Sequence, residues 1–233
     1  MKGPIQQNIM RKLLYQQDCA YHELWDHRGS SSLFDYHLKQ LLEDGLVMKK
    51  GDRYTLSPKG LQFASALDGE TVEERARPVV CAFVLAQDDQ GRILVNRRKK
   101  QPFIGVIGIP GGKLELGERL GELAAKELLE ETGLHADHFT LKLVTNYRTF
   151  DGDALAHQII GFFYYATGLH GSLLRDHREG ENFFIFPNDK DRFERYPDFD
   201  FFTETLLRQE EGIVFQEADR FLKDGVFQGI TFL

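Results

Sequence analysis

Between Gly111 and Leu134 the chain reads GGKLELGERLGELAAKELLEETGL, and no other stretch limits the fold as much. The pattern predicts a helix over Glu118–Thr132. On it Glu127, Glu130 and Glu131 stand at i, i+3 and i+4 and project from one side. Ala124, Ala125, Leu128 and Leu129 fall on roughly the opposite side, where they can pack on a sheet. Gly133 stops the helix. Ahead of it, Pro110-Gly111-Gly112 permits a tight loop whose backbone can approach an ion or a substrate. Crowded carboxylates repel one another, so the cluster is tolerated if it titrates or if a divalent cation sits among its oxygens. Hard oxygen ligands select Mg2+ (or Mn2+) over Zn2+. A solvated acidic helix face is the bland meaning of the same three residues.

The rest of the chain reads as two domains. Residues 1–68 have a helical rhythm at Ile5, Ile9, Leu13 and Leu14, then a short segment with Tyr21, Leu24 and Trp25. Ser30, Ser31 and Ser32 can cap a third helix running to Asp44, with Leu33, Phe34, Leu38 and Leu41 as its core side. Leu46 to Leu56 alternates around Gly51-Asp52, which predicts a hairpin, and Pro58 opens a further helix over Lys59–Leu67. Residues 69–77 are polar and aperiodic and read as a linker. In residues 78–233, strands are expected at Val79–Ala86, Arg92–Arg97, Ile104–Ile109, Leu141–Phe150, Ala156–Ala166 and Phe183–Phe186. Besides the carboxylate helix, weaker helices are expected near Phe199–Arg208 and Gln216–Lys223. That mixture predicts an α/β sandwich around a mixed sheet.

Charge and cysteine usage narrow the function. The formal net charge of −7 lies entirely in residues 78–233, because acidic and basic side chains balance in residues 1–77. An acidic domain that takes a phosphate ligand must supply cations locally, most simply as bound metal. Cys19 and Cys81 have no ligand spacing and suggest no disulfide framework. No signal-peptide pattern opens the chain, and the longest apolar run, Ile159–Leu169, falls short of the roughly 20 residues a span needs. A cytoplasmic protein without membrane contact is the expectation.

Gly112, five residues, Glu118, seven residues, Lys126-Glu127-Leu128, one residue, Glu130-Glu131, one residue, Gly133-Leu134: this spacing resembles the Nudix box at every position but one. Residues 78–233 as a whole are similar to Nudix hydrolase domains, whose fold is an α/β/α sandwich with a mixed sheet. The resemblance implies an enzyme that uses Mg2+ (or Mn2+) to cleave the phosphoanhydride of a nucleoside diphosphate linked to another moiety. ADP-ribose-like compounds, sugar nucleotides and nucleoside triphosphates all fit. It implies metal ligation by Glu127, Glu130 and Glu131, completed by the Gly112 carbonyl, with Glu118 as a supporting or additional ligand. The departure is Lys126, where the family has an Arg that pairs with box glutamates; Lys keeps the charge but not the bidentate fork. In this family the general base comes from the box or from a later loop, here Glu179 or Glu181.

Weaker signals complete the expectations. Arg97 and Arg98 end a strand and are candidates for phosphate contact. Phe103, Tyr147 and Phe150 are candidate base-stacking platforms, although core packing competes for each. The segment SSSLFDYHLKQLLEDGLVMKKGDRYTLSPKG resembles winged helix-turn-helix domains, a small mainly-α fold. That resemblance implies duplex DNA contact through Ser31, Ser32, Tyr36 and Lys39 on the third helix and Lys49, Lys50 and Arg53 on the hairpin, with Arg28 flanking. A second copy of the chain is the other partner such a domain suggests, and a nucleotide-sensing transcriptional regulator is the alternative to an enzyme.

Overall fold

The computed structural model describes residues 3–25, 27, 30–65, 77–100, 103–208, 211–223 and 226–233. Two compact units emerge, Met1–Ala76 and Arg77–Leu233. Arg28 and the expected linker, apart from Arg77, lie outside the described residues.

In the first unit, Pro4 opens α1 (Pro4–Tyr15), where its missing N–H leaves no helical bond unmade. Ile9, Met10 and Leu13 form its buried stripe. Two short elements follow, β1 (Cys19–Ala20) and α2 (Tyr21–Leu24). Ser30 caps α3 (Ser31–Glu43) by accepting from the Leu33 amide at 3.3 Å. Phe34, Leu38 and Leu41 bury against α1, but Leu33 is 45% exposed, because the first turn of α3 overhangs the core. β2 (Val47–Lys50) and β3 (Arg53–Leu56) form the expected hairpin, turned by Gly51 at φ 65. β1, which the sequence did not suggest, adds to the other side of β3. The last helix, α4, is Pro58–Ser65.

A six-stranded mixed sheet organises the second unit. Its strands are β4 (Val79–Ala86), β7 (Gly111–Lys113), β8 (Leu134–Asp151), β9 (Ala154–Gly171), β11 (Val214–Lys223) and β12 (Val226–Phe232), in the order β12-β11-β8-β9-β4-β7. The pairs β4·β9 and β8·β11 are parallel and the others antiparallel. A smaller sheet joins β10 (Gly180–Ile185), β5 (Ile93–Arg98) and β6 (Ile107–Gly108). α5 (Leu120–Thr132) packs on one face of the large sheet through Leu123, Ala124 and Leu128. On the other face lie α6 (Phe199–Leu207) and side chains of the small sheet, around Leu143, Tyr147 and Phe163. Directly paired residues share a face, so Phe83, Phe163, Ile159, Tyr147, Ala218 and Arg220 all belong to this second side.

Several expectations need correction. Gln216–Lys223 is strand, not helix: β11 is held between β8 and β12 by pairings distant in sequence, which override a locally helical pattern. Only Ile107–Gly108 of the expected strand Ile104–Ile109 forms, because Gly105 turns the chain at φ 88. Gly111 and Gly112 are not a free loop but part of β7, paired with Phe83 and Ala82. The strands expected at Leu141–Phe150 and Ala156–Ala166 are the middle of a much longer hairpin, β8–β9. α5 starts at Leu120, and its Ala125 and Leu129 are exposed while Leu123 and Thr132 are buried.

Candidate active site

α5 and β7 bring the box carboxylates onto a strand backbone. A Cβ on Gly112 would sit 2.1 Å from Glu127 Oε1, so only glycine lets this carboxylate settle against the β7 backbone. One position earlier, the Gly111 amide donates to Glu131 Oε2 at 3.3 Å. Burial, and after it the charge of Glu127, raises the Glu131 carboxyl to about 7. Glu127 is raised by burial as well, against the pull of Lys126. Glu179, just ahead of β10, acts on both of these carboxylates. Its own carboxyl is lowered, first by the hydrogen bond from Lys100. Glu130 is exposed on the outer side of α5.

Lys126 reaches back across the loop. Its Nζ donates to Glu118 Oε1 at 2.7 Å, and the other Glu118 oxygen accepts from the Glu115 amide at 3.0 Å. These bonds lower the Glu118 carboxyl, the Lys126 bond first. Position 126 thus holds a box glutamate by a single point rather than a fork.

A cavity of about 300 Å³ adjoins the carboxylates, with Gly111, Glu131 and Glu179 on its wall. Arg98 and Phe103 also line it, as does Tyr147. Phe103 is held at φ 71, a strained value for a residue with a Cβ, and packs edge-on against Tyr196 at 5.4 Å. Other expected residues are not brought in. Arg97 alternates with Arg98 to the far side of β5, where it meets Glu181 at 3.1 Å and stacks on Phe183 at 5.0 Å. Glu181 is therefore an ion-pair partner on the wrong face. Phe150 stacks on Phe221 at 6.0 Å, away from the cavity wall.

Residues without a motif signal occupy the rest of the site. Asp198, Arg220 and His157 line the same cavity. Asn182 donates to the Glu131 carbonyl at 2.7 Å and the Leu174 carbonyl at 2.8 Å, and accepts from Asn96 at 2.9 Å. It ties the end of α5 to β10, the strand that follows Glu179.

A family profile described as NUDIX domain matches residues 75–209. The chain belongs to the Nudix family. It is 40% identical over 57 residues to an ADP-ribose pyrophosphatase of Methanocaldococcus jannaschii, a stretch covering 24% of this chain and 33% of that protein. To the Nudix hydrolase YvcI of Bacillus subtilis it is 31% identical over 98 residues, covering 42% of this chain and 59% of that protein. The matches thus span from a third to under two thirds of these curated relatives. Among solved structures, a MutT protein from Bacillus halodurans superposes with a TM-score of 0.55 at 20% identity, over 66% of this chain and 97% of that one, a likeness of fold.

Nudix hydrolases generally use divalent metal ions, and the residues here suit one. The donors are all hard oxygens, the Gly112 cradle admits no side chain, and Glu131 is buried where its charge calls for a cation. Among the described residues, no three acidic, histidine or cysteine side chains are already closed into one coordination sphere. No helix among them is long and apolar enough to cross a membrane.

In the first unit, Ser31, Ser32, Tyr36 and Lys39 lie exposed along α3, with Lys39 3.6 Å from Glu43. Lys49 and Lys50 are exposed on β2, and Lys49 lies 5.4 Å from the centre of the Tyr54 ring. Arg53 differs from them: its guanidinium is committed to Asp18 and, at 3.2 Å, to Glu23.

Proposed function

We propose that the second unit is a pyrophosphohydrolase that cleaves the phosphoanhydride of a nucleoside diphosphate linked to another moiety. One observation carries the reading. Glu127 and Glu131 rest on the backbone of Gly112 and Gly111, and Glu131 shares the wall of a cavity with Glu179, which comes from a separate element. Gly112, Glu127, Glu130 and Glu131 would hold Mg2+ (or Mn2+), with Glu118 as an additional or supporting ligand. Bound there, the cation would offset phosphate charge and acidify a coordinated water. Glu179 would accept the proton of the attacking water, its carboxylate kept ionised by Lys100. Lys126 would steady Glu118, and Arg98 would meet a phosphate oxygen from the cavity wall. Phe103, opposite Tyr196, would line the substrate's path. The ADP-ribose pyrophosphatase relative supports ADP-ribose-like compounds within the range that also includes sugar nucleotides and nucleoside triphosphates.

A panel of these nucleotides with Mg2+, read by released phosphate or monophosphate, tests the proposal. Turnover of at least one class is expected, and it should stop in EDTA. Undiminished hydrolysis in excess EDTA would rule out the metal.

A second reading adds to the first: the N-terminal unit is a winged helix-turn-helix that contacts duplex DNA, and the chain senses a nucleotide as a transcriptional regulator. The order α1, β1, α2, α3, β2, β3 with the sheet β1-β3-β2 supports it, as do the exposed polar face of α3 and the lysines of β2.

A further inference from the structure

The matched family profile covers residues 75–209, and β11 and β12 lie beyond it. These two strands form one end of the large sheet, with β12 as its edge. An edge strand offers unpaired backbone N–H and C=O groups, and proteins commonly guard them with lysine, proline or a bulge. Residues 226–233, VFQGITFL, hold no charged residue and no proline. A bulge is present: Leu222 pairs with Phe227 and Phe221 with Gly229, so Gln228 is the extra residue. The stretch from Gly229 onward stays regular. There the direction of the backbone groups follows from one bond. The Leu233 amide donates to the Glu217 carbonyl at 3.0 Å, so Leu233 and, by alternation, Thr231 turn toward β11. Ile230 and Phe232 turn their N–H and C=O groups outward, where no strand pairs with β12 among the described residues. Phe232 is 41% exposed, with its ring centre 4.6 Å from that of Phe201 on α6, and Leu233 is 67% exposed.

We propose that this edge is a homodimer contact, in which β12 pairs antiparallel with β12 of a second copy of the chain. Alternating outward N–H and C=O groups are matched by another strand. Charge then selects a second copy. Residues 78–233 carry the whole net charge of −7, so two copies repel except where both are uncharged, and this edge is such a place. An antiparallel pair of identical strands also closes on itself about a two-fold axis, which ends the assembly at two. One register uses both outward residues of the regular edge. In it Ile230 lies opposite Phe232 of the second copy, and Thr231 lies opposite Thr231 of the second copy. The two copies then exchange hydrogen bonds through Ile230 and Phe232, and their apolar side chains meet beside Phe201. The regular edge spans about 17 Å and buries roughly 500 Å² per copy, less than the ~800 Å² of a standard interface, so the dimer is weak and reversible.

Sedimentation equilibrium of the full chain over a wide concentration range gives the first test. A reversible monomer–dimer equilibrium with a dissociation constant in the micromolar range is expected. Thr231 is exposed, so substitutions there leave the fold intact. Thr231→Glu sets two carboxylates against each other across the two-fold axis and should weaken the dimer at least about tenfold. Cysteine scanning fixes the register. Thr231 faces its own copy in a non-hydrogen-bonded pair with Cα atoms about 4.5 Å apart, a separation that a disulfide spans. Thr231→Cys should therefore crosslink to a dimer under mild oxidation and return to monomer with a thiol. Gln228→Cys, about 20 Å from its copy in the same register, should crosslink far more slowly. Cys19 and Cys81 are buried and do not compete. A chain that stays monomeric at every concentration overturns the proposal. So does a dimer that Thr231→Glu leaves unchanged, which would place the contact elsewhere on the chain. Crosslinking no faster at 231 than at 228 overturns it as well.

Discussion

Glu131 stands apart from the other box carboxylates by its burial. Its carboxyl is raised from 4.5 to about 7, by desolvation first and by the charge of Glu127 next. An acid with a raised pKa keeps in the folded chain a proton that the unfolded chain has released. Its contribution to stability is therefore full below about 4.5 and is lost as pH rises through about 7. The metal-free protein should lose several degrees of melting temperature across that window. Glu131→Gln should flatten this part of the profile, and parallel profiles for wild type and variant would refute the assignment. The same substitution should cut turnover by at least about two orders of magnitude with folding intact, because ligand positioning and charge neutralisation fail together. Lys126 makes the complementary test. It holds Glu118 through one Nζ contact of 2.7 Å, where a guanidinium could hold two oxygens. Lys126→Arg should preserve or raise activity, and Lys126→Ala should lower it with little change in melting temperature, since the pair is partly exposed. Alanine turning over as fast as wild type would show that position 126 does not organise the site.

At the scale of elements, α5 shows what was legible. Its carboxylates and its Gly133 stop could be read from spacing alone, and Gly133 does take the left-handed conformation at φ 72. The buried stripe was placed about one position off: Leu123, Ala124, Leu128 and Thr132 face inward, so Glu127 and Glu131 flank the core rather than oppose it. That shift is what buries Glu131. β11 was not legible, because Gln216–Lys223 has helix-compatible residues and takes its strand form from pairing with β8 and β12. Arg220 was lost with it, since a residue assigned to the wrong element is aimed at the wrong neighbours. Asn182 was invisible for another reason: a lone asparagine gains meaning only from the carbonyls that surround it. Asn182→Ala leaves the Glu131 and Leu174 carbonyls and the Asn96 amide without this partner, at a cost of about 1–3 kcal/mol. It should also loosen the register between α5 and β10. Thermal melts should fall by several degrees, and metal affinity, read by calorimetry, should weaken with them. A normal metal affinity in a destabilised variant would make Asn182 a purely structural residue.

On the scale of the whole molecule, the N-terminal unit must be given a role beside a Nudix domain. Residues 1–77 carry as many acidic as basic side chains, so DNA affinity would have to come from one face. That face is available in part. Ser31, Ser32, Tyr36 and Lys39 are exposed along α3, and Lys49 and Lys50 are exposed on β2. Arg53 is spent on Asp18 and Glu23, so it belongs to the unit's own stability. If the unit binds duplex DNA, affinity should fall steeply with salt as counterions are released. A Lys49→Ala/Lys50→Ala double variant should reduce the log–log slope by about two units, at roughly 0.9 per phosphate contact. Arg53→Ala should leave that slope almost unchanged and lower the melting temperature instead. Gel shifts on a pool of genomic fragments at low salt provide the measurement. No shift from a folded chain would exclude the DNA reading and point to a protein partner, including a second copy. Should DNA bind, a nucleotide held by the second unit must alter that affinity by the same factor by which DNA alters nucleotide affinity, wherever the two are coupled. Measuring both arms of that cycle separates a regulator, in which the factor departs from one, from two independent modules on one chain.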